Sequence, residues 1–132
     1  MLGEIAFRVN DLDACQAFYE KKIGLELMQR FETSAFFKIA EGYAGHTQIL
    51  ALFDRAAEPN YEAPTQARTT VDHIAFTVDL ADFYSEKARL EAAGLATRTS
   101  IHNWVQWRSL YVSDPDGNLV ELVCFDPSIP KE

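Results

Sequence analysis

The chain has 132 residues, enough for one domain with its own core, and 48% apolar with 24% charged residues is the composition of a globular protein in water. A formal net charge of −8 argues against nucleic acid or an anionic membrane as partner, and no apolar run reaches the length of a membrane span. No secretory leader opens the sequence, so Cys15 and Cys124 are expected as core thiols in a reducing, cytoplasmic compartment.

Residues 4–9 alternate as a strand and end at Asn10-Asp11, a pair suited to capping a helix. Leu12, Cys15, Phe18, Tyr19 and Ile23 then recur at helical spacing up to Gly24, a stop signal. Strands are expected at 25–30, 33–40 and 46–53, with a turn punctuated by Gly42 and Gly45. Residues 54–70, with Pro59 and Pro64 and no period, read as a linker.

The order then repeats. Asp72-His73-Ile74-Ala75-Phe76-Thr77-Val78 is a strand, with Ile74, Phe76 and Val78 on one face and His73, Ala75 and Thr77 on the other. Asp79 is placed to cap a helix carrying Leu80, Phe83, Tyr84 and Ala88, which ends at Gly94. Strands follow at 95–102, 105–113 and 118–125, with a tight structural turn at Asp114-Pro115-Asp116-Gly117-Asn118 and a frayed tail at 126–132. Ile-Ala-Phe-x-Val occurs at Ile5 and again 69 residues later at Ile74, and Glu4 stands where His73 stands. The expectation is a single α+β domain of two βαβββ modules, 1–53 and 71–126, joined by the 54–70 linker. Their curved mixed sheets would form open half-barrels around a shared cleft.

Glu121 is the most telling residue on chemical grounds. It interrupts Leu119-Val120-Glu121-Leu122-Val123, a run apolar on both faces, where a carboxylate needs a cation or several donors to offset desolvation. A metal ion, Arg8, Arg108 or His73 would each answer that need. Phe36, Phe37, Trp104, Trp107 and Tyr111 lie on or beside strands that would wall the cleft, as a substrate pocket or as core; of Phe36 and Phe37 one must face the core, since neighbours alternate. His102, Asn103 and Arg108 are polar neighbours able to orient a substrate.

Four stretches together carry a family resemblance: 4–9, Phe18-Tyr19 ahead of Gly24-Leu25, 72–78, and Ser113-Asp114-Pro115-Asp116-Gly117-Asn118-Leu119-Val120-Glu121-Leu122. The chain resembles the vicinal oxygen chelate superfamily, which holds glyoxalase I, bleomycin-resistance proteins, fosfomycin-resistance enzymes and extradiol dioxygenases. The resemblance implies metal ligands at His73 and Glu121 in the second module and at Glu4 and Gln48 in the first. Glu4 stands where many members have His, and Gln48 where many have Glu. Such a set suits a divalent ion, Zn, Ni, Mn, Fe or Co. It implies Glu121 or Glu4 as the base beside a substrate carbonyl, and a pocket including Arg8, Phe36, Trp104, Trp107, Arg108 and Tyr111.

Three functions follow as expectations. The first is a metal-dependent isomerase or lyase of the glyoxalase type on a small oxygenated substrate. The second is a metal-free drug-binding protein of the bleomycin-resistance kind, whose acidic cleft would take a cationic ligand. The third is an Fe(II) extradiol dioxygenase, disfavoured because only His73 is well placed of the two histidines that chemistry uses. Similarity to these proteins also implies a homodimer.

Overall fold

The structure is a computed structural model that describes residues 2–62 and 71–132. The chain divides into two compact units, residues 1–67 and 68–132. In the first, β1 (Glu4–Val9) leads to α1 (Leu12–Ala17), followed by β2 (Glu26–Arg30), β3 (Ser34–Ala40) and β4 (Gln48–Asp54). In the second, β5 (Ile74–Thr77) leads to α2 (Phe83–Ala92), then β6 (Arg98–His102), β7 (Trp107–Ser113) and β8 (Leu119–Phe125). Each unit forms one four-stranded mixed sheet, ordered β1-β4-β3-β2 and β5-β8-β7-β6. The first strand of each runs parallel to the last, while the other pairs are antiparallel. The parallel pairing is possible because the helix and two strands lie between the paired strands in the chain.

Helix α1 opens as expected on Asp11, whose carboxylate accepts from Ala14 N at 2.9 Å. The expected single helix to residue 23 is instead a short α-helix continued by a π turn, Phe18–Ile23. The wider turn keeps both Phe18 and Tyr19 buried, their rings edge to face at 5.1 Å. Gly24 closes it at φ 86°, a left-handed conformation that glycine adopts without a Cβ clash, and Gly94 does the same at φ 86° after α2. The Asp79 cap is not formed by its side chain; residues 80–82 make a 3-10 turn first. Leu80 and Tyr84 are exposed, and Phe83 and Leu90 are the buried residues of α2.

Most strands begin a few residues later than the sequence suggests, because the preceding residues are still held by turns. Leu25 N donates to Tyr19 O, His46 N to Tyr43 O and Val105 N to His102 O. The 54–70 segment starts with a 3-10 turn, Arg55–Ala57, capped by Asp54. Pro64 and the rest of that segment from residue 63 lie outside the described residues.

The tail is not frayed. Ile129 is buried, and Gln106 Nε2 donates to Ile129 O at 2.8 Å. Asp126 accepts from Arg108 at 2.7 and 3.0 Å and from Ser128 Oγ at 2.6 Å. Gln106 stands at φ 57°, an unusual conformation for a residue with a Cβ, and its carbonyl accepts from Asp126 N at 2.8 Å. The Asp114 turn is structural as expected: its carboxylate accepts from Asp116 N, Asn118 N and Asn118 Nδ2 at 2.8–2.9 Å. Cys15 and Cys124 are buried thiols, and burial pushes the Cys124 thiol up.

Alternation sorts each sheet. In the first unit Phe37 is fully buried on the helix side against Tyr19, and Phe36 lies on the other face with Phe31 and Phe53. In the second, Val120, Leu122, Cys124, Leu110 and Val112 are buried on the side of α2. Truncating Phe37 to alanine should cost about 3–5 kcal/mol in chemical denaturation. A second measurement tests the tail. The Ser128 hydroxyl, the Arg108 guanidinium and the Ser128 backbone N–H hold the Asp126 carboxyl below its usual range. Its contribution is therefore present above the ordinary aspartate range and is lost as pH falls through the lowered value. Asp126→Asn should lower the urea midpoint at pH 7, and the gap from the parent should close as pH falls below the ordinary aspartate range.

Candidate metal-binding site

The face of the second sheet turned away from α2 carries the polar residues. Register places Ala75, Glu121, Tyr111 and Arg98 in one row across β5, β8, β7 and β6. His73 precedes β5 by one residue, on the side of Ala75. Its Nε2 lies 3.0 Å from Glu121 Oε2. Glu121 has a side chain only 8% exposed, while that of His73 is 38% exposed. The carboxylate is thus withdrawn from water and reaches it through the imidazole.

Asp72 completes the arrangement, a residue that the sequence did not single out. Its Oδ1 lies 2.6 Å from His73 Nδ1. An acceptor there requires Nδ1 to carry a proton. Neutral His73 then turns the bare lone pair of Nε2 toward a carboxylate oxygen, itself only an acceptor. Two lone pairs at 3.0 Å repel unless a positive charge lies between or beside them. A second proton on the ring supplies one, and a metal ion supplies another.

The spacing fits an ion. Donors sharing one ion at about 2.0–2.2 Å lie about 3.0–3.5 Å apart for octahedral to tetrahedral angles. A histidine whose other nitrogen is tied to a carboxylate is the usual supported form of an imidazole ligand. Among the described residues no three His, Cys, Asp or Glu side chains gather around one point, so this pair supplies two donors.

Tyr111 lies beside the pair, paired in register with Glu121 and with its ring edge to face with His73 at 6.4 Å. The Arg98 guanidinium lies 4.5 Å from the Tyr111 ring centre. Tyr111 Oη is 3.2 Å from both Ser100 Oγ and His102 Nε2. Ser109, on the same face by alternation, has a buried hydroxyl with no hydrogen-bond partner among the described residues. Trp107 also shares this face and is 44% exposed, whereas Trp104 sits in the β6–β7 turn, 68% exposed.

Arg108 does not belong to this face. It lies on the α2 side, paired with Asp126 and 6.0 and 5.7 Å from the ring centres of Phe83 and Tyr84. Alternation is the reason: Arg108 is one residue out of step with Trp107 and Ser109. It ties the tail to the sheet instead of facing a substrate pocket.

In the first unit Glu4 is exposed on β1, and Ile49 is its register partner on β4. Alternation therefore gives Gln48 the face opposite to that of Glu4. The repeat explains this. Ala75 stands beside Glu121, and its counterpart Ala6 stands beside Ala51, a buried alanine. The first unit has no polar side chain at the position that Glu121 fills. What it has is a cavity of about 570 Å³ lined by Ala6, Arg8, Thr33, Phe53, Glu58 and Tyr61, among others. The Arg8 guanidinium is stacked 4.6 Å from the Tyr61 ring centre. Phe36 packs against Phe53, one wall of this cavity.

The model of the Glyoxalase/Bleomycin resistance protein/Dioxygenase superfamily matches residues 1–122. The glutathione transferase FosA of Serratia marcescens is 31% identical over 92% of this chain and 78% of its own. A lactoylglutathione lyase from Agrobacterium tumefaciens superposes with a TM-score of 0.70 at 30% identity, covering 93% of this chain and 92% of its own. A variant of the fosfomycin resistance protein FosX from Listeria monocytogenes, solved with Mn(II) and dihydroxypropylphosphonic acid, shares the fold. Its TM-score is 0.71 at 22% identity, over 96% of this chain and 91% of its own. With the doubled sheet, the histidine-led strand and the buried glutamate all in place, the chain belongs to the Glyoxalase/Bleomycin resistance protein/Dioxygenase superfamily.

Proposed function

We propose that this chain is a divalent-metal-dependent enzyme, an isomerase or lyase acting on a small oxygenated substrate. The observation that carries this is the 3.0 Å approach of His73 Nε2 to Glu121 Oε2, with Asp72 holding the opposite ring nitrogen. His73 and Glu121 would hold the ion. When bound, the ion would act as a Lewis acid toward substrate oxygens.

The protein's own groups account for the rest. Glu121 presents a buried carboxylate that would accept a proton from carbon beside a carbonyl. Arg8, lying over the Tyr61 ring, offers a guanidinium to an anionic group of a ligand in the first unit's cavity. The family relationship supports the class of chemistry, since relatives at 30–31% identity are a lyase and a transferase. A homodimer in a cytoplasmic setting belongs to the same proposal.

Protein purified without chelator should carry about one divalent ion per chain by mass spectrometry of the metal. His73→Ala and Glu121→Ala should lose it, and Asp72→Asn should weaken binding about 10–100-fold. A parent protein that binds no ion but takes up a cationic glycopeptide would overturn the enzyme in favour of a drug-binding protein. Turnover of catechols with Fe(II) would replace isomerisation by ring cleavage. Arg8→Ala should raise KM for an anionic substrate about tenfold or more, with metal content unchanged.

A further inference from the structure

His102, Ser100 and Tyr111 form a closed triangle whose contacts are all satisfied when Nε2 of His102 carries the ring proton. Ser100 Oγ lies 3.1 Å from His102 Nε2, and both lie 3.2 Å from Tyr111 Oη. Suppose Nε2 is bare. It has one lone pair, so it can accept from only one hydroxyl. The other oxygen then stands at hydrogen-bond distance from an acceptor with no proton between them. Suppose instead that Nε2 carries the proton. It donates toward the two oxygens as a shared bond, and Ser100 donates to Tyr111 Oη. Every contact of the triangle is then favourable, and one proton is left over: that of the Tyr111 hydroxyl.

From this we infer that His102 is a positioning residue. It is held as the Nε2–H tautomer, and it frees the Tyr111 hydroxyl to donate to an oxygen of the ligand bound beside Glu121. The surroundings fit a donor. Tyr111 is 9% exposed, so its hydroxyl meets little competing water, and its backbone pairs in register with that of Glu121. Arg98 lies 4.5 Å from the ring centre, and a cation at that face draws electron density from the ring and favours the phenol as a donor. His102 Nδ1 has no partner among the described residues, so nothing fixes the opposite tautomer. The placement of the ligand rests on the proposed metal site; the tautomer does not.

The test has two independent parts. Nitrogen-15 NMR of the metal-free protein should show His102 protonated on Nε2; protonation on Nδ1 alone would overturn the inference, whatever the protein does with metals. In the zinc-loaded protein, oxalate serves as the oxygen-rich probe. His102→Ala should weaken oxalate binding about tenfold, with the zinc content unchanged. His102→Gln, which restores an N–H donor, should recover most of that loss. Tyr111→Phe should cost a similar factor, and adding His102→Ala to it should cost little more, because the two act through one hydroxyl. Full additivity, or equal loss in the glutamine and alanine variants, would overturn the assignment. A parent that binds no zinc would instead defeat the metal reading and leave the NMR result to decide the tautomer.

Discussion

The structure turns on a carboxylate placed where hydrocarbon would be cheaper. β8 runs beside both β5 and β7, so Glu121 has a strand on each side. Its neighbours Val120 and Leu122 point to the helix side and are buried there. Alternation sends Glu121 the other way, into a row with Ala75 and Tyr111. Ala75 is small enough to leave room above itself. His73, two residues earlier, reaches into that room and meets the carboxylate. A larger residue at Ala75 would fill the space that the pair occupies.

The same frame is built twice but equipped once. Both units have the order β-α-β-β-β, a glycine at φ 86° after the helical segment, and a parallel contact between first and last strands. In the first unit the position beside Ala6 is Ala51, fully buried. One half therefore keeps a histidine–glutamate pair, and the other keeps a cavity with an arginine over a tyrosine ring. A doubled scaffold with unequal halves can separate tasks: one sheet holds charge at fixed spacing, and the other offers space and a guanidinium.

Much of the fold was legible in the chain because period-two alternation, capping residues and glycines are local signals. The repeat of Ile-Ala-Phe-x-Val marks the doubling, and the lone Glu121 in an apolar strand marks the buried carboxylate that meets His73. What failed was nonlocal or one residue fine. Gln48 was drawn into the site by proximity in sequence, yet pairing of β1 with β4 puts Ile49 beside Glu4. Comparing the two repeats at Ala75–Glu121 and Ala6–Ala51 would have shown it. Arg108 was misplaced because its partner Asp126 lies in a tail with no periodic signal, 18 residues away. Asp72 was overlooked because nothing in a sequence says that a residue outside a strand will fold back on its neighbour's ring.

Asp72 also decides what the pair is built to attract. With its carboxylate on Nδ1, the imidazole has only Nε2 left to offer, and that nitrogen faces Glu121. Two carboxylates and one imidazole in a line carry net negative charge until something positive arrives. A proton satisfies the line by making an imidazolium between two anions, and a divalent ion satisfies it more fully. The ion must displace the proton, so its binding releases one and weakens in acid. An ordinary buried ion pair would be better served by an arginine, whose charge does not depend on pH and whose fork matches a carboxylate. A histidine in that place keeps the contact exchangeable, as the proposed metal site would require.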